Sequence, residues 1–249
     1  MMRNLIFSIL MMLLVMNSLK SQEKGFSFQN KKAYLVPIPK FEPNIDGKLT
    51  DEVWNLTPSI LLTHMSGATG SPIDETTVKI TSSKTNIFVS FNCLVPKDKE
   101  LIVKAQAPDE DMKADDAVYF LISPGIEALS KAYLISVNGK NIVTDSFTNY
   151  VVSVNGKGVV SDAANKEWNW EGVTTAVFKG DGFWSVEMSL PLKEFDKEYK
   201  KLKLKGWRAN FFRIRPEKGW DDLTEASWVS ISGNITFDAE QSGFIFFDA

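Results

Sequence analysis

Two stretches of the chain alternate cleanly between apolar and polar positions. Trp184, Val186, Met188 and Leu190 interleave with Ser185, Glu187 and Ser189, and Ile87, Val89, Phe91 and Cys93 share a face opposite Ser90 and Asn92. A period of two with one apolar side describes a β-sheet covered on one face. Short segments of the same character recur at 33–38, 60–65, 76–81, 86–94, 117–122, 131–137, 141–147 and 150–154. Others follow at 173–178, 183–190, 207–214, 227–231 and 243–247. Turn signals separate them, among them Ser123-Pro124-Gly125, Asn138-Gly139, Asn155-Gly156 and Gly180-Asp181-Gly182. Asn-Gly favours a type I′ hairpin because both residues tolerate positive φ. Only 49–56, opened by Thr50 or Asp51, and 192–203, following Pro191, have helical spacing. The pattern predicts an all-β chain: a single antiparallel β-sandwich, immunoglobulin-like or jelly-roll-like, with one or two short connecting helices.

The first twenty residues are of another kind. Arg3 precedes an apolar stretch over 5–16, broken only by Ser8, and a polar run over 17–22 follows. The stretch is about 12 residues, short of the roughly 20 that a spanning helix needs. This order describes a secretory signal peptide over 1–21, cut near Ser21-Gln22; the alternative is an uncleaved anchor. An N-terminal extension with a first strand is expected over 22–43 and the sandwich domain over 44–249, with no membrane span once the signal is removed. The expected destination is the exterior, periplasm or cell envelope of a bacterium.

Composition mainly removes options. Of 249 residues, 28 are Lys or Arg and 31 Asp or Glu, a formal charge of −3. Loss of Arg3 and Lys20 leaves 26 basic residues and −5. With no basic surplus to meet phosphates, nucleic acid is an unsuitable partner. One cysteine, Cys93, and one histidine, His64, exclude an internal disulfide, a Cys-rich zinc site and a His cluster. Cys93, on an apolar strand face, reads as a small buried hydrophobe.

The remaining candidates for chemistry stay open. Asp109-Glu110-Asp111 with Asp115-Asp116 offers oxygen ligands for calcium, without EF-hand spacing, or forms a solvated loop. Paired carboxylates could hydrolyse glycosides, but Glu187, on the polar side of a regular strand, reads as structural. His64 could ligate haem with Met65 or Met112, or be an ordinary strand histidine, and no nucleophile elbow accompanies it. Of the seven tryptophans, three or four belong in a core. Trp168, Trp170 and Trp220 lie among Asn, Asp, Glu and Lys, a setting in which an indole can stack on a sugar ring or equally pack at a domain edge.

Taken in order, the motifs resemble those of family 9 carbohydrate-binding modules. Ile45-Asp46-Gly47 leading to Asp51-Glu52-Val53-Trp54 is similar to the family's opening Ile-Asp-Gly … Asp-x-x-Trp. Thr77–Ile80 and Asn86–Phe91 look like its early paired strands, and Asp115-Asp116-Ala117-Val118-Tyr119-Phe120 like its Asp-x-Val-Glu segment. Gly182-Phe183-Trp184-Ser185-Val186-Glu187, Trp207–Arg213 and Gly243–Phe247 complete the order, from about Asn44 to Phe247.

The resemblance implies an exported, non-catalytic β-sandwich that binds a poly- or oligosaccharide, serves carbohydrate catabolism beside polysaccharide-degrading enzymes and requires no cofactor. Structural calcium would fall on Asp115 and Asp116. Tyr119, Phe237 and Trp220 would stack on sugar, while Asn210, Arg213 and Asp115 would supply hydrogen bonds. Three positions depart from the family pattern. Lys113 stands where one clamp tryptophan is expected, Tyr119 replaces the glutamate, and Ile235-Thr236-Phe237-Asp238 occupies the place of the second clamp tryptophan. The departures motivate an alternative: a structural or interaction domain of the envelope, with a protein partner, that keeps the fold without the sugar site.

Overall fold

A computed structural model describes residues 26–64, 74–107, 115–125, 132–141, 143–148, 172–195, 206–216, 223–229 and 239–247. These form two sheets. The smaller contains β3 (Ile60–Leu61), β5 (Thr76–Ser82), β6 (Asn86–Leu94), β10 (Thr174–Gly180) and β11 (Phe183–Pro191), in the order β10-β11-β6-β5-β3. The larger runs β1 (Phe26–Phe28), β2 (Lys31–Val36), β14 (Gly243–Phe247), β12 (Trp207–Pro216), β7 (Ala117–Ser123), β8 (Ala132–Asn138), β9 (Val143–Thr148). Two short strands, β13 (Leu223–Ser227) and β4 (Thr63–His64), extend it beside β12. Among the described residues one α-helix, α1 (Glu52–Leu56), connects. The architecture is the expected β-sandwich, with one parallel pair, β14 with β2, among otherwise antiparallel pairings.

The apolar sides of the two sheets face each other. Ile80, Val89, Phe91, Trp184, Val186 and Met188 from the smaller sheet meet Val118, Phe120, Ile122, Trp207, Phe211 and Ile245 from the larger. Phe120 and Phe211 stack with centroids 5.1 Å apart and planes within 8°, and Phe91 meets Phe211 edge-on at 6.2 Å. Each such side chain contributes about 1.5–3 kcal/mol by leaving water, so this seam is the main source of cohesion. Cys93 lies in it at 0% exposure, and burial pushes its thiol up to about 12.

Several local expectations shift, each for a physical reason. The segment at 60–65 divides: β3 pairs with β5 in one sheet and β4 with β13 in the other. Between them Leu62, buried, donates its N–H to the Thr76 carbonyl at 2.9 Å, so the chain crosses between layers where one continuous strand was expected. The strand expected at 227–231 lies earlier, at Leu223–Ser227. At Asn138-Gly139 the positive φ falls instead on Asn141, at 60°, where Asn141 N–H closes onto Asn138 O at 2.9 Å. The loop is longer than a two-residue I′ turn. The helix expected over 192–203 begins as a single 3-10 turn, Leu192–Phe195. The strand expected at 150–154, the Asn155-Gly156 turn, Trp168 and Trp170 fall outside the described residues.

The largest departure concerns the outer faces. Alternation predicts a smaller sheet wetted on its far side, yet Phe88, Ser90, Ser185 and Glu187 on that side are all at most 2% exposed. The segment from Asn44 to Ser59 lies across Phe88, Ser185 and Glu187 and covers them.

Candidate functional site

The segment covering the smaller sheet is held by one carboxylate. Glu187 Oε2 accepts from the backbone N–H groups of Asp46 and Gly47 at 2.8 and 2.6 Å, and Oε1 accepts from Trp54 Nε1 at 2.6 Å. Ser185 Oγ donates to the Gly47 carbonyl at 2.6 Å. Gly47 has φ of +83°, and a Cβ there would stand 2.7 Å from backbone atoms of Val177 and Phe178; only glycine fits so close an approach. Beyond it, Val53 and Trp54 of α1 pack on Phe88, with Ile45 and Leu49 alongside. Asp51 makes no side-chain cap to α1 and instead accepts from Asn44 N–H at 2.9 Å. Burial raises the Glu187 carboxyl above its ordinary range, opposed by the Gly47, Trp54 and Asp46 donors. The Ile45–Trp54 motif and the Val186-Glu187 motif are therefore two halves of one clasp.

Beside that clasp the outer face opens into a cleft of about 300 Å³. Lys48, Leu49 and Trp54 form one wall, and the floor is Thr77 and Lys79 of β5, Ser90 and Asn92 of β6, and Ser185 of β11. The Phe183 ring and Ser59 complete the rim. The register brings the floor together: Thr77 lies opposite Asn92, Lys79 opposite Ser90, and Ser185 opposite Asn92. Lys79 Nζ donates to the Trp54 carbonyl, and partial burial lowers its pKa. Lys48 Nζ lies 3.7 Å from an Asp46 carboxylate oxygen at the surface. Ser90 is 2% exposed, and no hydrogen bond to a described residue engages its hydroxyl or the side chains of Thr77 and Asn92. Hydroxyls, an amide and an aromatic ring around one cleft make a surface suited to a polyhydroxylated ligand. Sequence reasoning passed over these residues, although the polar side of two alternating strands, Ser90-Asn92 and Ser185-Glu187, was the available signal.

The residues singled out from the sequence go elsewhere. Tyr119 and Asn210 share the outer face of the larger sheet, at 3% and 0% exposure. Asn210 is engaged there: its Oδ1 accepts from the N–H groups of Phe211 and Val229, both at 3.0 Å, and its amide donates to Val229 O at 3.1 Å. Arg213 points the opposite way, into the space between the sheets. Its Nε and Nη2 donate to Asp116 at 3.1 and 3.2 Å, and Nη1 donates to Thr76 Oγ1 and Leu94 O. Arg215 pairs with Asp74 and stands 3.9 Å from Asp116. Trp220 and Phe237 lie outside the described residues.

Asp115 and Asp116, where structural calcium was expected, are both fully buried. Asp115 accepts from Lys104 N–H at 2.7 Å, Ala105 N–H at 3.2 Å and Asn138 Nδ2 at 2.9 Å, and Asp116 faces two guanidinium groups. Calcium needs six to eight converging oxygens, and here the oxygens converge on protein donors. Asp109, Glu110 and Asp111 lie outside the described residues. Of His64 only the backbone is described; it pairs with Ala226 in β4.

No family model and no curated protein sequence matches the chain. Solved structures do match its fold. A carbohydrate-binding module of family 9 from Caldicellulosiruptor kristjanssonii, solved in complex with glucose, superposes with a TM-score of 0.63 at 14% identity, covering 87% of this chain and 96% of the module. The structure of such a module from the same organism in complex with cellotriose gives 0.61 at 14% identity, over 87% and 93%. A candidate carbohydrate-binding protein from Bacteroides uniformis ATCC 8492 gives 0.63 at 14% identity, over 88% of this chain and all of that one. The fold is that of the family 9 modules, as the motif order led one to expect.

Proposed function

We propose that this chain is an exported, non-catalytic carbohydrate-binding domain that takes an oligosaccharide or a polysaccharide chain and works beside polysaccharide-degrading enzymes. The observation that carries the reading is the fold shared over 87% of the chain with modules solved holding glucose and cellotriose. The cleft on the smaller sheet supports it, since its hydroxyls, amide and phenyl ring are the groups that recognise sugar hydroxyls and the apolar face of a pyranose. Trp220 and Phe237 keep their proposed stacking role; Asn210 and Arg213 spend their side chains on contacts within the protein, and Tyr119 is buried. Export rests on the 1–21 segment, and among the described residues no helix is long and apolar enough to cross a membrane. A glycan array followed by calorimetric titration tests the reading: binding of at least one glucan, xylan or related glycan is expected. Absence of binding across the array would sink it.

A further inference from the structure

The cleft beside the clasp has a charge character opposite to that of the chain. Among the described residues its lining contains two lysines, Lys48 and Lys79, and no aspartate or glutamate, in a protein whose formal charge is −3. Lys48 pairs with Asp46 at 3.7 Å on the exposed side, and Glu187 on the sheet face has both oxygens occupied by Asp46, Gly47 and Trp54, so among the described residues Lys79 is the lining cation left without a carboxylate partner. Lys79 directs one donor at the Trp54 carbonyl, and an ammonium has three. Next to it on the strand pair stands the Ser90 hydroxyl, 2% exposed and without a hydrogen bond to any described residue, and then Asn92. A buried hydroxyl in this state leaves its donor and acceptor capacity to whatever enters the cleft.

We propose that this cleft is a binding site for an acidic sugar, a uronate unit of an oligosaccharide. The two oxygens of the sugar carboxylate meet the Lys79 ammonium and the Asn92 amide. Ser90 and Thr77 take neighbouring ring hydroxyls, and the carbon face of the ring lies on Phe183. Lys48, at the rim, contributes charge over a longer distance. A neutral hexose would leave the Lys79 charge without a counter-ion, so the cleft discriminates by carboxylate rather than by ring shape. The inference rests on the carbohydrate-binding reading and names a sugar class and a surface for it.

The test uses the purified full chain and three probes: a galacturonate trisaccharide, its methyl ester and cellotriose, each titrated calorimetrically. The acid is expected to bind at least about tenfold more tightly than the ester, the difference expected of a charge-assisted hydrogen bond. Lys79→Gln should remove about that tenfold, Lys79→Arg should restore most of it, and exposed Lys48→Gln should cost a few-fold. Thermal melts of the variants show that each is folded. Equal binding of acid and ester overturns the proposal, as does acid binding indifferent to both lysine substitutions. Cellotriose bound with no affinity for the acid overturns the uronate site and leaves the wider reading standing; no binding of any probe on these or other glycans overturns both.

Discussion

Two sets of polar side chains among the described residues differ in saturation: one around Arg213 and Asp116, and one in the cleft outside the smaller sheet. Between the sheets, Arg213 places its guanidinium donors on Asp116, Thr76 and Leu94, and the neighbouring Asp115 spends its oxygens on Lys104, Ala105 and Asn138. On the outer face, Ser90, Asn92 and Thr77 have no hydrogen-bond partner among the described residues, and Lys79 uses one donor. Arginine and aspartate looked like ligand-binding residues by type, yet their hydrogen bonds are spent within the protein. Serine and asparagine looked like ordinary outward positions, yet among the described residues their side chains keep unspent hydrogen-bonding capacity, which is why the proposed site lies there.

The comparison breaks most visibly at Asp116. Asp116→Ala leaves the buried Arg213 guanidinium without its counter-charge, while Arg215 keeps Asp74, and a loss of about 3–5 kcal/mol is expected, measured by denaturant unfolding. A loss below about 1 kcal/mol would mean that water reaches the pair. At the clasp, Gly47→Ala forces a Cβ to within 2.7 Å of the Val177 and Phe178 backbone at a φ of +83°. It should cost about 2–4 kcal/mol and detach the 44–59 cover, read as a fall in Trp54 burial by fluorescence quenching.

Glu187 gives a smaller effect with a pH signature. Glu187→Gln keeps one acceptor oxygen and turns its amide toward a donor, an expected loss of about 1–3 kcal/mol. Burial raises the native carboxyl above its ordinary 4.5, so above that value the folded chain retains a proton that the unfolded chain has released. Its stabilising contribution is therefore complete below 4.5 and declines as pH rises through the native value. Wild-type stability should fall across that window more steeply than that of Glu187→Gln. Parallel curves would remove the assignment. The smallest effect belongs to the cleft: Asn92→Ala should change stability by no more than about 0.5 kcal/mol, because nothing in the fold depends on its amide. A loss of several times that would show that the outer group is structural after all.

Much of the fold was legible in the chain. β6, with Ile87, Val89, Phe91 and Cys93 inward, and β11, with Trp184, Val186, Met188 and Leu190 inward, stand where alternation puts them, because a period of two needs only local information. The tryptophans expected in a core are buried there or against the sheet: Trp54, Trp184, Trp207 and Trp228. The site was far less legible. Arg213 sits one step out of phase with Asn210 and Phe212, so strand alternation already placed it on the other face, but which face is the interior depends on what packs against each.

The sequence by itself determined the layer type, the strand spacing and the inward side of each alternating strand, since these follow from local periodicity and the cost of leaving large apolar side chains in water. Only the tertiary structure decided which polar groups are saturated. Glu187 and Gly47 are 140 residues apart, and Arg213 and Asp116 are 97 apart. Whether a carboxylate is a clasp, an ion-pair partner or a ligand depends on donors that reach it from distant segments once the sheets have closed. The same closure left Ser90 and Asn92 unspent beside Lys79.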